Sequence, residues 1–159
     1  ELQVHLKMER LARAADNRYE LEAAYGNQGY ALAKAGKLEP ALRMHQEQEA
    51  ICRELGLKAH LAISLGNQGD TLRRLGRGEE ALRKLVEQEE IGKELGDSEA
   101  IARALYRRAE ILEDRSEFGP ALELAQKSQR LFSDINHRAG VQASQQLAAR
   151  VKRKLVGEP

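Results

Sequence analysis

The sequence predicts an all-α protein made of about eight antiparallel helices joined by short turns. Apolar residues recur at spacings of three and four along most of the chain. Glycines interrupt this pattern at regular intervals, and Pro40 and Pro120 stand where the first turn of a helix tolerates proline. These signals predict no strand. They predict helices over about 2–15, 18–35, 38–55, 58–75, 79–95, 98–115, 119–134 and 138–155.

The chain repeats itself with a period of forty residues. In this register a small residue recurs at Gly29, Gly69 and Ala109. Asn136 stands where earlier units have glycine, and asparagine tolerates the left-handed backbone of a helix end. Further positions align in the same frame: Leu32, Leu72 and Leu112; Gly36, Gly76 and Ser116; Ala41, Ala81 and Ala121.

The forty-residue register predicts one array over residues 1–159. A lone second helix at about 2–15 precedes repeats at about 18–57, 58–97 and 98–137, and a capping helix follows at about 138–155. The sequence does not begin with methionine and starts directly in a helical pattern. We therefore expect the chain to be a segment of a longer protein.

Glycines in the middle of predicted helices need a structural reason, because glycine weakens a helix by about 1 kcal/mol relative to alanine. Across each hairpin, Gly29 is expected to face Ala41, and Gly69 is expected to face Ala81, on the following helix. We expect these small pairs to let antiparallel neighbours approach closely.

Each of the two helices with Gly29 and Gly69 contains a second glycine, three residues earlier, that is not kept in the third repeat. Gly26 and Gly66 correspond to Tyr106 in the third repeat. We therefore expect that packing inside the hairpin does not require this glycine, and that the position faces solvent or a ligand groove.

Composition limits the classes of partner. Lysine and arginine number 26 against 25 acids, a net charge of +1, so no global field draws the chain to nucleic acid or to membranes. No apolar run approaches the roughly 20 residues that span a bilayer. The single cysteine, Cys52, cannot form an internal disulfide, and we expect a cytoplasmic location.

The repeat signature resembles the tetratricopeptide family. The pattern G-x-x-L-x-x-x-G-x-x-x-x-A-L runs from Gly69 to Leu82, although the family's usual period is about 34 residues. Forty-residue units with a G-N-x-G core and an I-x-x-E-L-G ending look like those of Pins-type adaptors and bacterial signalling proteins. One departure is Gln28, Gln68 and Arg108, where the family usually has leucine.

The resemblance implies a superhelix whose concave face binds an extended peptide or a helix of a partner. Asn27 and Asn67 match a family asparagine that holds the peptide backbone, and Arg107 stands at that position in the third repeat, with Arg103 one turn earlier. Asn67, Arg103 and Arg107 also match three of five positions of a clamp for acidic tails. Alternatively, the arginines only solvate an exposed face or pair with neighbouring glutamates.

The same frame predicts further groove residues, one and five positions beyond the small residue. Their charges differ from repeat to repeat, which suits one particular partner, although an ordinary solvated face would look similar. These residues are Tyr30, Asp70 and Glu110, then Lys34, Arg74 and Asp114.

These observations favour a non-catalytic scaffold for protein–protein interaction, without cofactor or metal. No catalytic motif is found. His45, Glu49 and Cys52 share one helix face and contain metal-ligand chemistry, but packing residues replace His45 and Cys52 in other repeats. The basic run ARVKRK at 149–154 is interpreted as the wet face of a capping helix.

The alternative is a structural or regulatory array that associates end to end or packs on further repeats of a larger signalling protein. An apolar stripe without a preceding partner supports it, and homo-oligomers would follow. The stripe consists of Leu2, Val4, Met8 and Leu11.

Overall fold

A computed structural model describes residues 2–157, and helices joined by short turns account for this part of the chain. Every helix end lies within one residue of its predicted position, which confirms the all-α prediction. The helices are α1 Leu2–Ala14, α2 Arg18–Lys34, α3 Leu38–Leu55, α4 Lys58–Arg74, α5 Gly78–Leu95, α6 Ser98–Asp114, α7 Phe118–Asp134 and α8 Arg138–Val156.

The turns depend on residues with left-handed backbone. Gly36 and Gly76 end their hairpin turns with φ of 76°, and Ser116 adopts the same conformation in the third repeat with φ of 61°. Asn136 has φ of 55°, as the sequence predicted. The turn geometry is therefore kept in the third repeat, although a serine replaces the glycine.

The first of two compact units covers Glu1–Lys84. In it α1 packs on α2, α2 on α3 and α3 on α4, while α2 also contacts α4. Adjacent helices are thus neighbours in space, as in stacked helical hairpins. One buried cluster joins three helices through Ala12, Leu21, Tyr25 and Ile51.

The second unit covers Leu85–Pro159, of which residues up to 157 are described. Here α6 packs on α7, α7 packs on α8, and α6 also contacts α8. The buried cluster consists of Ala109, Ala121, Ala125, Leu147 and Val151. Whether all repeats form one continuous array stays a prediction.

Gly29 lets α2 and α3 approach closely, but its partner was predicted wrongly. The nearest atoms to a Cβ at Gly29 would be the ring atoms of His45, at 2.5 to 2.8 Å. His45 lies one turn beyond Ala41 on the same face of α3, and both are buried. The contact between Gly69 and Ala81 stays a prediction.

The expectation that packing inside the hairpin does not require a glycine at Gly26 was wrong, although the residue does line an open pocket, as expected. A Cβ at this position would lie 2.6 Å from Nε2 of Gln48 on α3, so packing inside the hairpin does restrict residue 26. The restriction is weaker than at Gly29, because the neighbour is the far end of a flexible side chain rather than a buried ring.

A polar contact recurs where each first helix meets the preceding second helix. Gln28 Nε2 donates to Glu9 Oε2 at 2.8 Å, and Gln68 Nε2 donates to Glu49 Oε2 at 2.6 Å. Each amide also donates to a backbone carbonyl of the preceding helix, at 3.3 Å: Gln28 to that of His5, and Gln68 to that of His45. Polar residues replace the family's usual leucine because a glutamate faces them every forty residues.

The third repeat makes this contact with an arginine. Arg108 NH1 bonds Glu89 Oε2, and Lys93 Nζ lies 2.5 Å from Glu89 Oε1. The carboxylate of Glu89 therefore contacts two cations, one at each oxygen.

Two cations of the basic run in α8 hold a buried carboxylate. Arg150 donates to both oxygens of Glu113, at 2.7 and 2.6 Å, and Lys154 Nζ donates to Oε1 at 2.8 Å. The hydrogen bonds from Arg150 are the main reason that the pKa of Glu113 is lowered to about 2. This part of the run serves the packing of α8 against α6. No helix within residues 2–157 is long and apolar enough to cross a bilayer.

Candidate functional site

The first unit carries an open pocket of about 320 Å³ between α2 and α4, with one residue of α3 at its base. We call it the α2–α4 groove. It is lined by Glu22, Ala23, Gly26, Asn27, Tyr30, Gln48, His60, Ile63 and Asn67.

Three residues predicted from the repeat frame come together in this groove. Asn27 is exposed on one wall, together with Tyr30, while Asn67 is half-buried on the other wall. Each asparagine amide can donate and accept hydrogen bonds at once. The walls therefore present two such amides to whatever lies between them.

The floor of the groove contains a buried carboxylate, Glu22, which is only 2% exposed. Its Oε1 accepts from Gln48 Nε2 at 2.7 Å and lies 3.6 Å from Cys52 Sγ. Its Oε2 lies 2.9 Å from Nδ1 of His60. A buried carboxylate is stable only with such partners, so three elements jointly fix the floor.

The side-chain oxygen of Gln48 accepts no hydrogen bond from the described residues. The residue is 6% exposed, its Nε2 is committed to Glu22, and its Oε1 has no hydrogen-bond partner within the described residues. A buried acceptor without a partner costs free energy, on the order of 1–3 kcal/mol.

Cys52 is part of the packing rather than of the reactive surface. The thiol is fully buried. Burial, with the nearby carboxylate of Glu22 as the next cause, raises its pKa to about 12.

The other predicted groove residues of the first unit lie toward the ends of their helices. Arg74 NH1 lies 3.8 Å from Asp70 Oδ2, and Arg74 NH2 donates to the carbonyl of Ala33 at 3.0 Å. Lys34 is exposed in the last turn of α2. Arg74 thus has a structural role as a cation beside the end of α2.

The predicted residues of the third repeat lie on α6. Arg103 pairs with Glu99 one turn earlier, with Nε 2.8 Å from Oε1. Arg107 and Glu110 are half-buried, and each already interacts with neighbouring groups. The positive charge of Arg103 is therefore partly neutralised before any ligand arrives.

The residues His45, Glu49 and Cys52 have separate environments. His45 packs on Gly29, while Glu49 accepts from Gln68 and Lys84. Within residues 2–157 no group of three histidine, cysteine or acidic side chains is arranged to hold a metal ion.

Sequence reasoning missed the floor of the groove. Glu22 corresponds to Ala62 and Ala102 in later repeats, so the repeat frame hides it. A signal was present at Gln48 and Gln88, because polar residues recur there on the apolar face of second helices.

No family model matches the sequence, and no curated protein matches it. Among solved structures, the fold is similar to the crystal structure of BtubC (BKLC) from P. vanneervenii, with a TM-score of 0.68 and 15% sequence identity. The similarity covers 89% of this chain but only 65% of that chain. At this identity it shows the fold alone, which is that of a helical repeat protein of the tetratricopeptide type.

Proposed function

We propose that this chain is a non-catalytic scaffold that holds an extended segment of a protein partner in the α2–α4 groove. The observation that carries the proposal is the convergence of Asn27 and Asn67 on opposite walls of one open groove. Extended backbone has unpaired N–H and C=O groups along its length, and amide side chains pair with both.

The groove also offers apolar surface to the side chains of such a segment. Tyr30 is 63% exposed and Ile63 is 57% exposed, and both line the groove. A bound segment that covers these two side chains would gain free energy from the burial of apolar surface. Backbone pairing would give affinity, and these two contacts would give specificity.

Charge decides what kind of segment suits this groove. Glu22 at the floor is an acidic side chain, and among the residues that the structure describes no lysine or arginine lines the groove. A neutral or basic segment therefore suits the α2–α4 groove better than an acidic one. Binding of an acidic segment is proposed for α6, through Arg103 and Arg107.

The similarity to BtubC supports a scaffold rather than an enzyme, because arrays of helical repeats offer extended surfaces for partners. We propose no cofactor and no metal. A cytoplasmic location is also part of the proposal, and it depends on the single buried cysteine.

A peptide display screen against the chain, followed by calorimetry, tests the proposal. For a ligand of the groove, Asn27→Ala combined with Asn67→Ala should weaken binding by about thirtyfold, since each of the two lost hydrogen bonds contributes about 1 kcal/mol. The methyl resonances of Ile63 should shift on binding. The Arg107→Glu variant tests the acidic segment in the same screen.

Matched controls are the exposed amides Gln126 and Gln146, which lie outside the groove. The double variant Gln126→Ala and Gln146→Ala should leave affinity unchanged within about twofold, which is about 0.4 kcal/mol. If peptides bind but neither the asparagine variants nor Arg107→Glu weaken them, the proposed surface is wrong.

A second candidate function is self-association through α1. Val4 and Leu11 are 60% and 59% exposed on this helix, and Met8 is exposed between them. Light scattering would then give a mass that rises with concentration, and Val4→Ser with Leu11→Ser would abolish the rise. A constant monomer mass across concentrations would exclude this alternative.

A further inference from the structure

The second unit contains a cleft of about 500 Å³ on a different set of helices. It lies over α6, with α5 on one side and α7 on the other, and we call it the α6–α7 cleft. Its volume is within the range of ordinary ligand sites. The apolar part of its surface consists of Ile101, Leu105, Leu124 and Leu131.

Cations surround this apolar surface. Lys93 lies on α5, Arg108 lies on α6, and Lys127 and Arg130 lie on α7, against one acid, Glu89. Four cations and one acid leave the cleft with a net charge of +3.

The side chains of the two α7 cations, Lys127 and Arg130, are exposed. Neither side chain forms an ion pair or a hydrogen bond within residues 2–157. Arg108 bonds Glu89 through NH1, while its buried Nε has no hydrogen-bond partner in the described part of the chain. The donors of Lys127 and Arg130 are thus available to an anionic ligand.

The repeat frame shows that the two α7 cations of this cleft, rather than its apolar surface, are peculiar to the third repeat. The positions of Leu105 and Leu124 are also apolar elsewhere in the chain, at Leu65 and Met44. Earlier repeats carry no cation at the two α7 positions: they have Glu47 and Glu87 for Lys127, and Ala50 and Glu90 for Arg130.

Packing does not require this change of sign, because both α7 cations are exposed. We propose that the α6–α7 cleft binds an acidic amphipathic helix of a protein partner, at a site separate from the α2–α4 groove. The apolar ridge of such a helix would lie on the four apolar residues, and acids on its two flanks would meet Lys93 on one side and Lys127 with Arg130 on the other.

The probe for this inference is a designed helical peptide of about 18 residues, with leucines at heptad positions a, d and e and glutamates on both flanks. Isoleucine methyl NMR locates its binding, because Ile101 lies in the α6–α7 cleft and Ile63 lies in the α2–α4 groove. We expect the probe to shift Ile101 and to leave Ile63 unchanged.

Fluorescence anisotropy then measures the contribution of charge. Lys127→Glu combined with Arg130→Glu should weaken binding of the probe about tenfold or more, because two attractive contacts become repulsive. The matched control is Lys152→Glu with Arg153→Glu, which makes the same change of net charge on exposed cations of α8. It should change affinity by less than about threefold, a long-range charge effect that salt screens.

Four outcomes would overturn the inference. The probe fails to bind, a version with lysines in place of its glutamates binds equally well, or the α8 control weakens binding as much as the α7 variant. A shift at Ile63 instead of Ile101 would also overturn it, while leaving the proposed groove intact. Circular dichroism of both variants verifies that they remain folded.

Discussion

Gly29 lies directly against the imidazole of His45: a Cβ on Gly29 would lie 2.5 Å from Cε1 of the buried ring. Gly29→Ala should therefore lower the free energy of unfolding by about 1–2 kcal/mol, even though alanine favours the helix by about 1 kcal/mol. His45 is only 1% exposed, so little space is open to its ring. Urea denaturation measures the change.

The third repeat supplies the control for this pair. It has Ala109 and Ala125 at the corresponding positions, and both are fully buried. We expect Gly29→Ala and His45→Ala together to cost at least about 1 kcal/mol less than the sum of the single variants. Strict additivity would mean that the two side chains do not compete for the same space.

The carboxylate of Glu113 should make stability depend on acid pH. Its pKa is lowered from 4.5 to about 2 in the folded chain, so its contribution is present above about pH 4.5 and is lost as the pH falls toward 2. Glu113→Gln should lower the free energy of unfolding at pH 7 by at most about 3 kcal/mol. The exposed Arg150 and Lys154 are screened by solvent, which reduces this figure.

Denaturation of the original chain and of Glu113→Gln at several pH values tests this linkage. The difference between them should shrink between pH 4.5 and 2. Glu123→Gln, a change at an exposed acid of α7, serves as the control. A difference that stays constant over this range would contradict the assignment.

The left-handed turn at Ser116 is a site of local strain. The left-handed conformation costs a residue with a Cβ about 1–2 kcal/mol of conformational free energy, whereas glycine adopts it without this cost. Ser116→Gly should raise the free energy of unfolding by about 0.5–1 kcal/mol, since the entropy of the unfolded glycine offsets part of the gain. The reverse change at the matching turn, Gly76→Ser, should be destabilising, and thermal denaturation compares the two.

Cys52 should be nearly inert in the folded chain. With the thiol buried and its pKa raised to about 12, alkylation at pH 8 should be on the order of 100-fold slower than in urea. Mass spectrometry of timed samples measures both rates. Similar rates with and without urea would indicate that α3 opens far more often than its packing suggests.

The helices could be predicted because their signals are local. Apolar spacing identifies each helix, and the residues that end it stand at its own boundary, such as Gly36 or Asn136. No contact between distant segments was needed, and the ends agree within one residue.

The partners of the small residues could not be predicted with equal accuracy. The repeat frame identified the right neighbouring helix for Gly29, but the register between two helices depends on the lengths and directions of side chains. His45 is long enough to reach back one turn, so it occupies the space that had been expected for Ala41.

The walls of the α2–α4 groove could be predicted, and its floor could not. Asn27 and Asn67 occupy equivalent positions in successive repeats, so they lie on the same side of the array. Glu22 and Gln48 meet across a hairpin, and their hydrogen bond depends on a packing distance that no sequence pattern contains.

The recurring bond between a first helix and the preceding glutamate has a consequence for internal duplication of this chain. Segment 58–97 carries both halves of that bond, since Gln68 reaches Glu49 and Glu89 accepts from the next unit. If this segment were duplicated in tandem, the glutamine of the second copy would therefore meet the glutamate of the first copy. The same copy inserted after residue 137 would meet Gln129 instead of a glutamate. Duplication of segment 58–97 in place is thus favoured over its insertion after residue 137.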